Sequence, residues 1–320
     1  MHYRRLGRSG LKVSEISLGA WLTFGKQIET NTAADLIHAA YDQGVNFFDN
    51  ADVYADGQAE TVMGAAIQGL PREALVLSSK VFWPTMPGIN GRGLSRKHMT
   101  ESLHASLKRL GTEYLDLYFC HRYDPDTSVE EVVRTMNILI QQGKILYWGT
   151  SEWEAQQVME AVGVARQYGL IPPVVEQPQY NMFHRKRVES ELMAVTQHQG
   201  IGLVTWSPLF YGILTGKYNE GIPAGSRASM NDMNWIRDYI TQERIEKVRA
   251  LTELARELEV TTAQLAIGWL LRRKEVTSVI TGATRLEQLD DNLAAPAALD
   301  KMNLEILERI EEILDNNPVK

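Results

Sequence analysis

The fold turns on one stretch, VNFFDNADVYADGQAETVMGAAIQGLPREALVLSSKV, residues 45–81. It opens with an apolar, β-rich run, VNFFDNA (45–51), and closes with another, LVLSSKV (75–81). Between them, 58–69 has a helical pattern. A strand, a helix and a second strand make one parallel unit with a right-handed crossover. The rhythm continues in both directions. Upstream stands ISLGA (16–20) with a helical pattern at 31–43. Downstream come the strands LDLYFCH (115–121), ILYWGTS (145–151), VVEQPQY (174–180), GLVTWSP (202–208) and SVITGA (278–283). Helical patterns at 96–110, 128–142, 154–168, 186–199, 242–272 and 285–293 accompany them. In 96–110, Leu103, Leu107 and Leu110 recur at i, i+4, i+7, the spacing of one buried helix face. Eight such units predict an α/β fold, a closed (β/α)₈ TIM barrel of typically ~250 residues, rather than an open sheet.

Two segments lie outside the rhythm. YRRLGRSGLKVS (3–14) reads as a β-hairpin that caps the bottom of the barrel, and LEILERIEEIL (304–314) as a C-terminal helix. The longest stretch with no strand is 209–241, after the seventh strand, rich in Gly, Ser, Asn and Asp. A loop that long in a compact fold is usually a functional lid or disordered. A single domain over 1–320 is expected.

Composition narrows the function. The 320 residues are 44% hydrophobic and 23% charged, within the globular range. A net charge of −7 gives no general attraction to phosphate backbones, so nucleic acid is not an expected partner. No apolar run approaches the ~18–20 residues that span a bilayer. The N-terminal MHYRRLGRSG lacks the apolar stretch of a signal peptide. The single cysteine, Cys120, forbids an intrachain disulfide and a multi-cysteine zinc site, and no HExxH is present. A cytoplasmic protein with no metal is expected.

In such barrels the chemistry sits at the C-terminal ends of the strands. Asp49, Asp52 and Tyr54 follow strand 2, Lys80 strand 3 and His121 strand 4; further round come Ser151, Glu152, Glu176, Gln177 and Ser207. Lys80 ends an apolar strand, where a charge needs a partner, and Asp49 on the next strand can supply one. Taken singly, these residues fit bland roles as well: a rim ion pair, a packed tyrosine, a core histidine. Together they form a proton-donating set, in which a neighbouring ammonium lowers a tyrosine's pKa from near ~10. No strand is followed by GxGxxG or a P-loop. A nucleotide would therefore be held by strand-end polar groups, by the 209–241 loop with Lys217 and Arg227, or by the last βα turn with Arg285 and Gln288. That turn fits a plain solvated helix start equally well.

At these residues the chain resembles the aldo-keto reductases. The likeness is to the branch containing voltage-gated potassium channel β-subunits and their bacterial and plant relatives. GVNFFDNADVYADGQAE (44–60), SSKVFW (78–83), GLSRKHM (93–99) and SLKRLGTEYLDLYFCHRYDP (106–125) carry it. So do YWGTSEW (147–153), TWSPLFYGILTGKY (205–218), GIPAGSRAS (221–229) and GATRLEQLDDN (282–292). The resemblance implies a catalytic tetrad of Asp49, Tyr54, Lys80 and His121, with Tyr54 as general acid. It implies that Trp206 stacks on a nicotinamide, with Ser151 and Gln177 at its carboxamide, Trp21 and Gln27 alongside, and Asp49 also among the cofactor-binding residues. Ser207, Pro208, Leu209, Gly212, Lys217 and Arg227 match a segment covering the pyrophosphate. Gly282, Thr284, Gln288, Asp291 and Asn292 match the adenosine end, with Asp291 on the adenine. Arg285 replaces an uncharged residue and is positioned for a 2′-phosphate. Glu152 stands where the family has Asn or Arg, and Gly225 where the covering loop has an aromatic.

The expected function is NADPH-dependent reduction of aldehydes and ketones, in a substrate pocket of Trp21, Tyr54, Phe82, Trp83 and His121. The alternative is an NADPH-binding auxiliary or redox-sensing subunit with slow turnover. A glycosidase using Asp49 and Glu176 fits the barrel but not the motifs. The resemblance also implies a homo-tetramer and leaves a channel partner open.

Overall fold

Eight parallel strands close on themselves in the computed structural model, which describes residues 1–25 and 27–319. A hairpin of β1 (Tyr3–Arg5) and β2 (Lys12–Ser14) precedes them. The barrel strands are β3 (Ile16–Gly19), β4 (Phe47–Asp49), β5 (Val76–Val81), β6 (Leu115–Cys120), β7 (Ile145–Ser151), β8 (Val175–Gln177), β9 (Gly202–Thr205) and β10 (Val276–Thr281). Each pairs with the next, and β10 returns to β3 with Val279 opposite Ile16. The (β/α)₈ barrel read from the sequence is the fold.

The helices follow the apolar spacing. α1 (Thr30–Asp42) and α2 (Gln58–Ala66) flank β4 in sequence, and α3 (Arg96–Leu110) packs next to α2. The Ser95 side chain caps α3 by accepting from the His98 N–H at 3.2 Å, and Gly111 ends it in the left-handed region at φ +65°. Leu103, Leu107 and Leu110 are buried as their spacing predicts, each burial contributing roughly 1.5–3 kcal/mol. α4 (Val129–Gln141) and α5 (Ala155–Gln167) continue the ring. A π-helical turn at Arg187–Leu192 leads into α6 (Met193–Gln199).

The 242–272 pattern is two helices, not one. α7 (Gln242–Glu257) stops before Glu259, whose φ is +52°, and α8 (Thr262–Leu271) begins afresh. Thr261 and Gln264 form a capping box, each side chain bonding the other's backbone N–H. α9 (Leu286–Leu293), the short α10 (Pro296–Leu299) and α11 (Leu304–Leu314) complete the chain. The 209–241 loop is ordered into 3₁₀ turns at Phe210–Thr215, Arg227–Ser229 and Asn231–Tyr239. Among the described residues, no helix is long and apolar enough to cross a membrane.

The hairpin plugs the bottom. Leu6 and Val13 pack against Phe47, Val76, Leu117, Phe119, Val175 and Val204 inside the strands. Gly7 makes this approach possible. Its φ is +57°, and a Cβ there would lie 2.2 Å from the Gly200 carbonyl oxygen. With that end filled, the opening lies at the C-terminal ends of the strands.

Candidate active site

The floor of the opening is built by strand alternation. Ser78 and Lys80 lie two apart on β5 and point inward, while Ser79 points outward and donates to Glu60. Ser78 pairs in register with Asp49 at the end of β4, and its hydroxyl donates to Asp49 Oδ1 at 2.8 Å. Gln177, on β8, donates to the same oxygen at 3.0 Å. Asp49 Oδ2 lies 2.7 Å from the Lys80 ammonium. Lys80 is fully buried and also donates to the Asn50 carbonyl at 2.6 Å and to the Tyr54 hydroxyl oxygen at 3.2 Å. All three ammonium hydrogens thus have acceptors, which is what makes a buried lysine tolerable.

Tyr54 follows β4 on a turn in which Ala55 and Asp56 take φ of +49° and +52°. Its ring stands edge to face with His121, centroids 5.8 Å apart. Burial raises the Tyr54 pKa above 10, and the pull of Lys80 in the other direction does not overcome it. The lowering expected from the lysine is therefore outweighed. Desolvation dominates because the phenolate, not the phenol, loses water. Burial also acts to lower Lys80, but Asp49 and Tyr54 more than offset it and its pKa moves up. Burial, then Lys80 and Arg122, hold His121 well below 6.5, and its buried Nδ1 has no partner among the described residues. At neutral pH the set is a cationic lysine, a neutral histidine and a neutral tyrosine. Since the Tyr54 oxygen already accepts from Lys80, its own hydrogen is free to donate.

Above this floor lies a cavity of about 1030 Å³. Of the residues read as a substrate pocket, Trp21, Tyr54, Trp83 and His121 line it. Phe82 does not. β5 ends at Val81, so the inward alternation stops, and Phe82 sits in the core with its ring 5.0 Å from that of Trp83. Trp206 and Trp21 meet edge to face at 5.4 Å. Gln27 lines the wall and donates to the sulfurs of Met230 (3.7 Å) and Met233 (3.6 Å), reaching the long loop. Ser151 lines it too, but its hydroxyl donates to the Gln177 carbonyl at 2.9 Å. Sequence reading missed Ser78, Tyr211 and Arg122. Tyr211 and Arg122 reach the cavity wall from inside the quoted motifs 205–218 and 106–125, at positions to which no role was read.

The far end is cationic. Lys217, Arg227 and Arg285 converge there, alongside Ser207, Pro208, Leu209 and Gly212. Partial burial, with Arg227 and then Arg285 nearby, draws the Lys217 pKa down to about 8. Burial also lowers Arg227. Among the described residues, no carboxylate comes within 4 Å of Lys217 or Arg227, and Arg285 has only exposed Glu287 at 3.6 Å. Cations gathered in a cavity wall, two of them with no carboxylate beside them among the described residues, suit a polyanion such as a pyrophosphate. Gly282, Thr284, Gln288, Asp291 and Asn292 lie at this end as well. Asp291, expected on the adenine, instead accepts from Thr261 (3.0 Å) and Gln264 (2.8 Å) at the start of α8. Its charge is directed to that helix cap. Gln288 accepts from the N–H and hydroxyl of Thr284 at 3.0 and 3.1 Å.

Glu176 is separate from this site. Its carboxyl bonds the Thr150 hydroxyl and the Trp153 N–H, and burial lifts its pKa to about 8. It does not line the cavity that Asp49 faces, where a glycosidase would need it.

The family model described as Aldo/keto reductase family matches residues 15–313, from the first barrel strand into α11. The chain belongs to the aldo/keto reductase family. Two relatives of this aldo/keto reductase carry the name "Probable voltage-gated potassium channel subunit beta". The Arabidopsis thaliana protein is 49% identical over 99% of this chain and 98% of its own length. The Oryza sativa subsp. japonica protein is 48% identical with the same coverage. Aldo/keto reductases are oxidoreductases that generally use NAD(P)H, and the cavity has the Tyr54 hydroxyl at one end and the cations Lys217, Arg227 and Arg285 at the other.

Proposed function

We propose that this aldo/keto reductase reduces aldehydes and ketones to alcohols with NADPH, with Tyr54 as the general acid. The observation that carries the reading is the neutral Tyr54 hydroxyl, accepting from Lys80 and opening on a cavity whose far end gathers three cations, of which Lys217 and Arg227 have no carboxylate within 4 Å among the described residues. Lys217 and Arg227 would hold the pyrophosphate and Arg285 the 2′-phosphate. Trp206 would stack on the nicotinamide. Bound there, the cofactor supplies a hydride to the carbonyl carbon.

The chain's own residues handle the proton. A carbonyl oxygen between Tyr54 and His121 receives the tyrosine hydrogen. The phenolate left behind is stabilised by the Lys80 ammonium, which Asp49 holds in place. Neutral His121 can donate to the same oxygen and orient it. Trp21 and Trp83 make the mouth apolar, suiting aromatic or aliphatic carbonyls.

The second reading is an auxiliary subunit that binds NADPH and turns over slowly, favoured by the names the plant relatives carry. Steady-state reduction of an aldehyde panel separates the two. In Tyr54→Phe, turnover is expected to fall ~10²-fold or more with cofactor affinity preserved. Wild-type turnover in that variant overturns the role of Tyr54.

A further inference from the structure

Glu152 occupies the turn after β7, where its backbone takes the left-handed φ of +58°. That turn directs the side chain toward the ends of β8 and β9. Glu152 Oε1 accepts the indole Nε1–H of Trp206 at 3.0 Å and the backbone N–H of Gln179. Oε2 lies 3.0 Å from the Arg187 guanidinium, which also donates to the Glu152 carbonyl at 2.7 Å. The side chain is only 15% exposed. The carboxylate thus divides its oxygens, one for the indole and one for the guanidinium. The resulting ion pair is a dipole whose negative end lies against the tryptophan.

An indole that donates to a carboxylate carries more electron density on its ring, and a richer ring face attracts a cation more strongly. Of the two forms of a nicotinamide, the oxidised ring is positively charged and the reduced ring is neutral. We propose that Glu152 is a positioning residue that holds the Trp206 indole and gives the cavity a preference for the oxidised cofactor over the reduced one. The inference rests on the reading of the cavity as a nicotinamide site with Trp206 against the ring. A neutral Asn or cationic Arg, the residues the resemblance leads one to expect here, would not supply this charge. The consequence is directional: tighter binding of the oxidised form makes the bound reduced form a stronger hydride donor, and it slows release of the spent cofactor.

The test is the dissociation constant of NADP⁺ and of NADPH, followed by tryptophan fluorescence, for wild type, Glu152→Gln, Trp206→Phe and the double variant. Glutamine keeps an acceptor oxygen without the charge. Glu152→Gln is expected to weaken NADP⁺ binding roughly 3- to 30-fold while NADPH changes less than about twofold. On the Trp206→Phe background, which has no indole N–H, the same change is expected to leave the ratio unaltered. Arg187→Met, which removes the countercharge, is expected to move the ratio in the opposite direction and serves if Glu152→Gln folds poorly. An unchanged ratio in Glu152→Gln, or a change that persists without the indole, overturns the proposal and leaves the cofactor reading intact. Failure of wild type to bind either dinucleotide overturns the cofactor reading itself.

Discussion

Replacing Asp49 by Asn removes the charge that faces a fully buried ammonium while keeping nearly the same shape. In the native site Asp49 accepts from Ser78, Gln177 and Lys80. In the Asp49→Asn variant, a carboxamide oxygen turned toward Ser78 and Gln177 leaves the NH₂ aimed at the Lys80 ammonium, donor against donor. Breaking a buried pair in this way costs about 3–5 kcal/mol. For a chain of this size that corresponds to a Tm lower by roughly 4–8 °C. The cost has a pH signature. The Lys80 pKa lies above 10.5 in the native protein, so the pair's contribution is fully present below that pH and is lost only as pH rises through the folded value. Without Asp49, burial is the dominant influence and the Lys80 pKa falls. The stability deficit is then largest at neutral pH and narrows as pH rises from the depressed value toward 10.5. The assay is thermal or urea unfolding of Asp49→Asn, Lys80→Met and the double variant at neutral and alkaline pH. The double variant should lose much less than the sum of the singles. Additive losses, or a deficit independent of pH, refute the argument.

Two further outcomes follow from the cationic end. Arg285 is 65% exposed, so its side chain is well solvated. Arg285→Ala should therefore weaken NADPH about 10-fold, at the low end for charge-assisted contacts, and leave NADH unaffected; equal effects on both cofactors, measured by titration, would make it a mere surface charge. Lys217 has a pKa near 8, and an anion beside it must raise that value. NADPH binding is thus expected to take up protons above neutrality and to weaken as pH rises past about 8, which calorimetry in two buffers of different ionisation enthalpy reads directly; buffer-independent heats would count against it.

The barrel was legible because its strands are short, continuous apolar runs bounded by turn residues, with LVLSSK and LDLYFC buried at every position. That Asp49, Tyr54, Lys80 and His121 lie together was legible from strand-end position and motif together. What lay beyond reach was pairing across the barrel. Gln177 bonds Asp49 over 128 positions of sequence, and no local spacing encodes that. The break at 258–261 was present in the letters as a Thr-x-x-Gln capping box, hidden because apolar residues continue on both sides of it. Phe82 and the Tyr54 pKa failed for a shared reason. Where a strand ends, and how much water a phenol loses, are properties of the packed protein and not of its neighbours in the chain. Glu152 was visible only as a mismatch, because its bonds run to the ends of two other strands.

The closure of β10 onto β3 has a consequence for how the chain is made. Thr281 donates to the Ser17 carbonyl at 3.1 Å, a contact spanning 264 positions. The opening strand therefore leaves the ribosome with one edge bare, and its final neighbour has yet to be synthesised. At about 5–20 residues per second that wait lasts on the order of 13–50 seconds. During it the N-terminal hairpin has a partly built sheet to plug, and β3 offers unpaired backbone to any strand nearby. The nascent barrel is most vulnerable to mispairing in that interval, and the seam seals only when the last strand emerges.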